Sequence, residues 1–323
     1  GAAAHTVRLR GMAEARGARI NEHGVFRVDS DTEIVPGERE EEIYHFLGLP
    51  WIPPELREDR GEIEAALAGR LPDLIDVADF RGILHAHTTW SDGSASIRQM
   101  AAAARDLGHA YLAITDHSKS LGVARGLDEV RLRAQMAEVD ALHAEAPGVL
   151  VLKGIECDIL ADGTLDLDTG LLAQLDFVIG SIHSGFRQDE ETMTRRIVAA
   201  MESGVVDLLA HPTGRLLGAR EPYAVDLERV IEAALRTGTA LEINAYPDRL
   251  DLDDVHARRA AERGIPISIN PDAHMPVHLS LLRYGVGQAR RAWLTADQVI
   301  NTWPPERLLG WLRGRRERRR GHR

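Results

Sequence analysis

Two histidines, two residues apart at the end of a short apolar stretch, constrain this chain more than any other feature. The stretch is Ile83-Leu84-His85-Ala86-His87, and it runs into Thr88-Thr89-Trp90-Ser91-Asp92-Gly93. Read as a strand, it turns both imidazoles to one face. The loop that follows carries a carboxylate, Asp92. A His-x-His at a strand end, with an acid just beyond it, is how a metal-binding site opens.

The downstream pattern is strand, loop and helix, repeated. Predicted strands are 83–87, 111–115, 149–156, 177–183, 206–211, 240–244 and 267–270, with helical stretches at 95–107, 128–145, 190–203, 226–237 and 253–263. Seven βα units in about 200 residues predict a parallel barrel rather than an open sheet. The strand ends then carry the chemistry: His85 and His87 with Asp92, then His117, Glu156, His183, His211, Glu242 with Asn244, and Asp272 with His274. In a βα barrel these positions share one rim, where such folds build their active sites.

Six of the fourteen histidines fall on that rim, a distribution that scattered surface histidines would not produce. The donor set is His85, His87, Asp92, His117, Glu156, His183, His211, Asp272 and His274. That is too many ligands for one ion and suits two or three ions of the zinc, manganese or iron kind. Cys157 follows Glu156 along a strand, so it faces the other way and reads as a small core residue. His5, His23, His45, His109, His143, His256 and His322 read as surface residues. His278 is a candidate to sit behind His274.

A cluster of divalent metals makes hydroxide near neutral pH and clamps the oxygens of a phosphoryl group. The chain has no Gly-rich phosphate loop of the Walker type and no serine nucleophile elbow. Metal-assisted hydrolysis of a phosphoester is the leading expectation, with amide or deamination hydrolysis left open by the spacing alone.

Formal net charge is −11 at pH 7, which by itself disfavours nucleic acid as a partner. The charge is uneven, however. Residues 313–323 hold seven arginines and one glutamate (+6), so the remainder carries −17. This Arg-rich tail reads either as a solvated terminus or as a phosphate-binding arm. The single cysteine excludes an internal disulfide and suits a reducing, cytoplasmic setting. No apolar run is long enough to span a bilayer, so no membrane role is expected.

Residues 1–58 differ from the rest. Helices are predicted over 7–16 and 38–47 and a strand over 24–28, before the Pro-rich run Leu49-Pro50-Trp51-Ile52-Pro53-Pro54. Another helix over 62–69 leads through Leu71-Pro72-Asp73 toward Phe80, making 59–80 a linker. The barrel domain then spans 81–312 and the tail 313–323.

The motifs His85-x-His87-Thr88, Asp92-Gly93, Thr115-Asp116-His117-Ser118, Gly154-x-Glu156, His183, His211-Pro212 and Asp272-x-His274 resemble those of the PHP (polymerase and histidinol phosphatase) family. That resemblance implies a distorted, TIM-like (β/α)7 barrel of the α/β class with a trinuclear metal site, behind a small N-terminal α+β remnant. It implies one metal on His85, His87, Glu156 and Asp272, and a second on Glu156, His183 and His211. Asp92, His117 and His274 would hold the third. A metal-bridging hydroxide held by Glu156, His85, His87 and Asp272 would be the nucleophile. The implied ions are Mn2+ or Zn2+, with iron a further option.

Trp51–Glu58, Leu71–Ile75, His211–Arg215, Leu241–Ala245 and Arg283–Arg291 resemble the C-terminal part of bacterial family X DNA polymerases. Residues 1–58 would then be the end of a palm or thumb region. The Asp-x-Asp of the polymerase active site belongs upstream of the matching region, so polymerisation is not expected from this chain. The implied activity is a 3′→5′ exonuclease acting on DNA, a single strand or a primer 3′ end, in repair. Abasic-site or 3′-phosphate processing also occurs in the family. In the full-length protein the partner domain would be a polymerase X core. Arg187, Arg215, Asn244 and Arg249 lie in predicted rim loops and are the candidates for holding phosphate or sugar. The alternatives are a small-molecule phosphomonoesterase of the histidinol-phosphatase type, and a non-catalytic PHP module that stabilises a polymerase.

Overall fold

Seven short aliphatic stretches pair side by side in parallel, and their alternation of residues decides what faces inward. The computed structural model describes residues 1–145 and 148–321, and divides into two units, Gly1–Leu74 and Ile75–Arg323. The first unit holds α1 (Ala3–Glu14), β1 (Ala18–Asn21), β2 (Gly24–Arg27), β3 (Glu33–Pro36), α2 (Glu40–Phe46) and α3 (Glu62–Leu67). The second contributes β4 (Gly82–Ile83), α4 (Ile97–Asp106), β5 (Tyr111–Ile114), α5 (Glu129–Ala144), β6 (Leu150–Asp158), α6 (Thr169–Leu172) and β7 (Phe177–Ser181). It continues with α7 (Glu190–Glu202), β8 (Leu208–Leu209), α8 (Leu227–Thr237), β9 (Ala240–Asn244), α9 (Asp254–Glu262), β10 (Ile267–Asn270), α10 (Leu282–Arg291) and α11 (Pro305–Gly321).

The seven strands β4 to β10 form one parallel sheet in sequence order. The seam between β4 and β10 is closed by a parallel bridge, Ala86 to Ala273, with the His87 amide donating to the Ala273 carbonyl at 2.7 Å. Below it, Asn301 stitches the two edges. Its amide nitrogen donates to the Gly82 carbonyl at 3.2 Å, and its amide oxygen accepts from the Ile269 amide at 2.8 Å. The result is a nearly closed seven-stranded barrel, as expected.

Inside the barrel the residues fall in layers. Tyr111, Ala113, Leu152, Phe177, Ile179, Leu208 and Ala240 make the lower, apolar one. Further along the barrel strands the inward positions become Glu156, Glu242 and Asn270, all fully buried. The outward face of the strands packs on the helices, with Ile114, Val151, Ile243 and Ile269 meeting Met100, Val139, Ile197 and Ala257. Cys157 lies in this outer packing, and burial pushes its thiol up to about 12. One irregularity matters. Ile83–His87 is not a continuous strand, because β4 ends at Ile83 and the chain bends at Leu84. Leu84 joins the inner apolar layer, while His85 also turns inward, to Glu242.

The bottom of the barrel is sealed by the C-terminal helix. Ile300, Trp303, Leu308 and Leu312 pack into the lower layer, and the Tyr111 hydroxyl donates to the Ile300 carbonyl at 2.9 Å. Here the expectation for the tail needs correcting. Residues 313–321 continue α11, and Arg315 is only 2 % exposed. Its Nε donates to Asp207 at 3.1 Å and its Nη1 to the Thr237 carbonyl at 2.9 Å. Arg316 donates to the carbonyls of Leu175 and Asp176. These two arginines close helix and strand ends that would otherwise be buried with unpaired carbonyls, so neither is free for an arm. Residues 322 and 323, the last of the tail, lie outside the described residues.

The first unit has a core of its own, from Ala13, Val25, Leu47, Ile52, Leu56 and Ile63, around the antiparallel sheet β1-β2-β3. His5 is not on the surface. It is 2 % exposed, with Nδ1 2.6 Å from Glu62 and Nε2 2.9 Å from the Tyr44 hydroxyl. His109, at 9 % exposure, is likewise buried. Among the described residues no helix is long and apolar enough to cross a membrane.

Replacing Arg315 by alanine removes the cation that donates to the buried Asp207 carboxylate. The expected loss is about 3 kcal/mol of stability by urea denaturation, whereas Arg313→Ala, at an exposed position of the same helix, changes stability by less than about 0.5 kcal/mol.

Candidate metal centre

The loop after β4 is shaped by an acid that ligates nothing. Asp116 is buried just past β5, and burial raises its carboxyl although hydroxyls pull it back. It accepts from the Thr88 amide and hydroxyl, both at 2.7 Å, from the Ser91 hydroxyl at 2.5 Å and from Gln135 at 2.6 Å. These bonds fold Thr88–Gly93 back over His87. A side chain at Gly93 would place its Cβ 2.6 Å from the His87 carbonyl, so only glycine permits the fold. Asp92 is thereby brought 3.4 Å from His274 Nε2 and 3.6 Å from His117 Nε2.

At the centre stands Glu156, on β6 and without exposure. One oxygen faces His211 Nε2 at 3.0 Å and His183 Nε2 at 3.3 Å. The other faces His117 Nδ1 at 2.9 Å, His85 Nε2 at 3.4 Å and His87 Nε2 at 3.5 Å. Asp272 approaches from the opposite side, with Oδ1 at 3.0 Å from His87 Nε2 and 3.5 Å from His85 Nε2. The His87 ring is stacked between His117 and His274, with centroids 4.3 and 4.2 Å away. Two of the residues have left-handed backbones that side chains rarely adopt, His211 at φ 28° and Asp272 at φ 50°. Such strain concentrates at functional sites.

The rim thus assembles every residue of the expected ligand set. Three groups bring ligand atoms within 4.8 Å of one another: His85, His87 and Asp272; His87, Asp92, His117 and His274; and His117, Glu156 and His183. His211 joins through Glu156.

The donor atoms fit metal ions. His85 Nε2, His87 Nδ1 and His211 Nδ1 are buried without a hydrogen-bond partner, and His117 Nδ1 and Glu156 Oε2 lie 2.9 Å apart outside hydrogen-bond geometry. Burying that many unpaired polar atoms is costly unless cations take them up. Protons fill part of this role. Burial would lower the imidazole of His117, but Glu156 and Asp92 outweigh it and lift it to about 10. His183 is lifted to about 9 by Glu156 and Asp158 against the same burial. His87 goes the other way, to about 3, because burial is joined by repulsion from His117 and His274. Glu156 and Asp272 are held well below the usual carboxylate range by the surrounding imidazoles, despite burial.

The four candidates for phosphate and sugar separate. Arg249 stands beside the ligands, its Nε 3.9 Å from Asp272 Oδ2 and its Nη1 buried without a partner. Arg187 is exposed in the loop after β7. Arg215 is taken up by backbone, donating to the carbonyls of Arg249 and Leu250. Asn244 donates to Asp272 at 3.1 Å and to Glu242 at 3.3 Å, and accepts from the Tyr246 amide at 3.1 Å. It stands behind the ligands, with both amide hydrogens used. His278 sits behind His274, its Nδ1 accepting from the His274 amide at 3.3 Å.

Sequence reasoning left Asp158 and Glu242 without roles. Asp158 accepts from His183 Nδ1 at 2.5 Å, and Glu242 from His85 Nδ1 at 2.8 Å. The available signal was strand parity: Asp158 shares its face with Glu156, and Glu242 shares its face with Asn244.

Comparison with known proteins agrees with this geometry. Residues 84–246 match the PHP domain model, and residues 1–58 match the DNA polymerase beta thumb model. The DNA polymerase/3′-5′ exonuclease PolX of Bacillus subtilis is 46 % identical over 298 residues, covering 92 % of this chain. The chain spans about half (52 %) of that relative's length. A probable phosphatase of a Thermoanaerobacter species is 30 % identical over 233 residues, covering 68 % of this chain and 90 % of its own. In structure, a Listeria monocytogenes protein assigned as a histidinol phosphatase superposes with a TM-score of 0.50 at 13 % identity, over 61 % of this chain and 97 % of its own. That last likeness shows the fold.

A cation entering this cluster must displace protons from His117 and His183, so Mn2+ uptake at pH 7 should release more than one proton per chain. Calorimetric titration in two buffers of different ionisation heat measures that number. The sign on stability follows. The metal-free protein keeps the help of these raised histidines below pH 6.5, and loses it as pH rises through about 9 to 10. Metal affinity should instead rise with pH over the same interval.

Proposed function

This chain belongs to the PHP domain family, carries a polymerase-beta-type thumb segment ahead of that domain, and from that premise we propose that it is a metal-dependent phosphodiesterase that removes nucleotides from DNA 3′ ends. The observation that carries the metal-dependent half is the convergence of buried imidazoles on Glu156 and Asp272, with His85 Nε2 unpartnered 3.4 Å from the one and 3.5 Å from the other. The nucleic-acid half is supported by the similarity to the B. subtilis enzyme across both segments.

The site would hold three ions: one on His85, His87, Glu156 and Asp272, one on Glu156, His183 and His211, and one on Asp92, His117 and His274. Manganese is the cation chosen for testing, with zinc and iron compatible with the same donors. Bound there, divalent ions supply hydroxide at neutral pH and neutralise the phosphoryl oxygens. The chain's own residues do the rest. Glu156 presents its two oxygens to opposite groups of imidazoles, which would make it the shared ligand. Asp158 fixes the His183 ring with Nε2 turned toward Glu156. Arg249 offers its unpartnered Nη1 to a phosphate oxygen beside Asp272, and Arg187 offers a second cation farther out on the rim. The backbone of Thr88–Gly93 holds Asp92 over His117. A role at DNA ends suits repair, and the single cysteine suits a reducing, cytoplasmic setting.

The similarity to a probable phosphatase over 90 % of that protein's length keeps a second reading in view, hydrolysis of a small phosphomonoester. One assay separates them. Mn2+-dependent hydrolysis of a 5′-labelled single-stranded oligonucleotide is run beside phosphate release from histidinol phosphate. The expected result is a ladder shortening from the 3′ end, slowed more than about 100-fold by Asp272→Asn, which removes an anionic ligand. Phosphate release without a ladder would make the chain a small-molecule phosphatase. Neither activity in a metal-loaded protein would leave a non-catalytic PHP module.

Arg249→Ala is expected to slow oligonucleotide hydrolysis about 100-fold, as loss of one charge-stabilising donor does elsewhere, with metal content unchanged by mass spectrometry. Arg215→Ala should alter turnover far less, because its donors go to backbone carbonyls.

A further inference from the structure

We infer that Glu242 is a positioning residue that fixes His85 and His211 together, and so sets two of the metal subsites relative to one another. The inference rests on the metal-dependent reading above and extends it to a residue that ligates nothing.

Glu242 lies on β9 with no solvent exposure. Its Oε1 accepts from His85 Nδ1 at 2.8 Å and from the Asn270 amide at 3.1 Å. Its Oε2 accepts from the His211 backbone amide at 2.8 Å and from the Asn244 amide at 3.3 Å. All four partners are placed to donate, and they come from the ends of β4, β8, β9 and β10. Only an ionised carboxylate accepts on every side.

Two consequences follow for the metal centre. The bond to Nδ1 fixes the tautomer and orientation of His85, leaving the lone pair of Nε2 turned toward Glu156 and Asp272, 3.4 and 3.5 Å away. A carboxylate behind a ligating imidazole raises its basicity and locks its ring. The bond to the His211 amide acts on backbone instead. His211 has the left-handed φ of 28°, and the amide bond helps hold that conformation, which carries the ring to Glu156 Oε1 at 3.0 Å. One side chain therefore anchors a residue of the His85–His87–Asp272 group and a residue that reaches Glu156 from the other side. Asp158 contrasts with this. It supports the single ring of His183, so it is the natural comparison.

Glutamine at 242 cannot replace the carboxylate. With its oxygen toward His85, its amide nitrogen meets the His211 and Asn244 donors. Aspartate keeps an all-acceptor head but withdraws it by one methylene.

The test is Mn2+ binding to the full chain, with free Mn2+ counted by electron paramagnetic resonance and folding checked by circular dichroism and thermal melting. Glu242→Gln should fold, retain one Mn2+ near wild-type affinity and bind the others about 10- to 100-fold more weakly. Asp158→Asn should weaken one ion only. Should Glu242→Gln fail to fold, Glu242→Asp supplies the same readout and should bind two ions more weakly than wild type. If a folded Glu242 variant binds all its Mn2+ as wild type does, or loses affinity at one ion only as Asp158→Asn does, the inference falls and Glu242 is a structural carboxylate. A wild-type chain that binds no Mn2+ at all would instead overturn the metal-dependent reading, and this inference with it.

Discussion

A carboxylate with no access to water, Glu156, is the constraint that the second unit is built around. Removing such a charge from solvent costs several kcal/mol even after relaxation, and the barrel answers with imidazoles from four other strand ends. His85 and His87 come from one side, His117, His183 and His211 from the others. β6 carries this residue between close neighbours. At Gly154 a Cβ would lie 2.8 Å from the Ile114 carbonyl and 2.9 Å from that of Phe177. The lack of a side chain there lets β5 and β7 close in, which brings their terminal histidines within reach of Glu156. Packing in the apolar layer and chemistry on the rim are therefore one requirement on one strand.

The site also shows where folding stability gives way to function. Left-handed backbone at His211 and Asp272, and the bend at Leu84 that turns His85 inward, each depart from what a regular strand would do. They persist because surrounding bonds over-determine them: Glu242 on the His211 amide, Ala273 on the His87 amide, and Asn244 on Asp272. Cations binding this array stabilise the folded state as well as equip it, since ligands dispersed in an unfolded chain bind them poorly. At the opposite end of the barrel the design is different. Arg315 donates to Asp207 and to the Thr237 carbonyl, and Asp207 also accepts from the Val178 amide, so this buried pair serves packing.

Much of this was legible in the residues. The barrel could be read because each strand is a short aliphatic run ended by a ligand-type residue, and most helices between them are amphipathic and followed by glycine. The ligand set could be read because seven strand ends of a barrel converge whatever their separation in sequence. Asp158, Glu242 and Asp116 were less visible. Their roles depend on which neighbour a side chain meets across the barrel, as Glu242 meets His85 from 157 positions away. Asn244 and Arg215 looked like phosphate donors from their positions near the strand ends, and only the directions of their bonds show them occupied. His5 carries no sequence signal of burial, since the partners that bury it, Tyr44 and Glu62, lie 39 and 57 positions away. The Arg-rich end misled for a related reason. Its charge suggests solvent, but Arg315 and Arg316 find backbone carbonyls at the barrel floor.

The central claim is that these nine residues form one polynuclear metal centre organised on Glu156. The most direct measurement is anomalous diffraction at the manganese edge from crystals of the full chain grown with Mn2+. The account predicts separate anomalous peaks in the rim cluster, at least two of them within coordinating distance of the Glu156 carboxylate. Peaks only on surface carboxylates, or a single ion that does not touch Glu156, would contradict it.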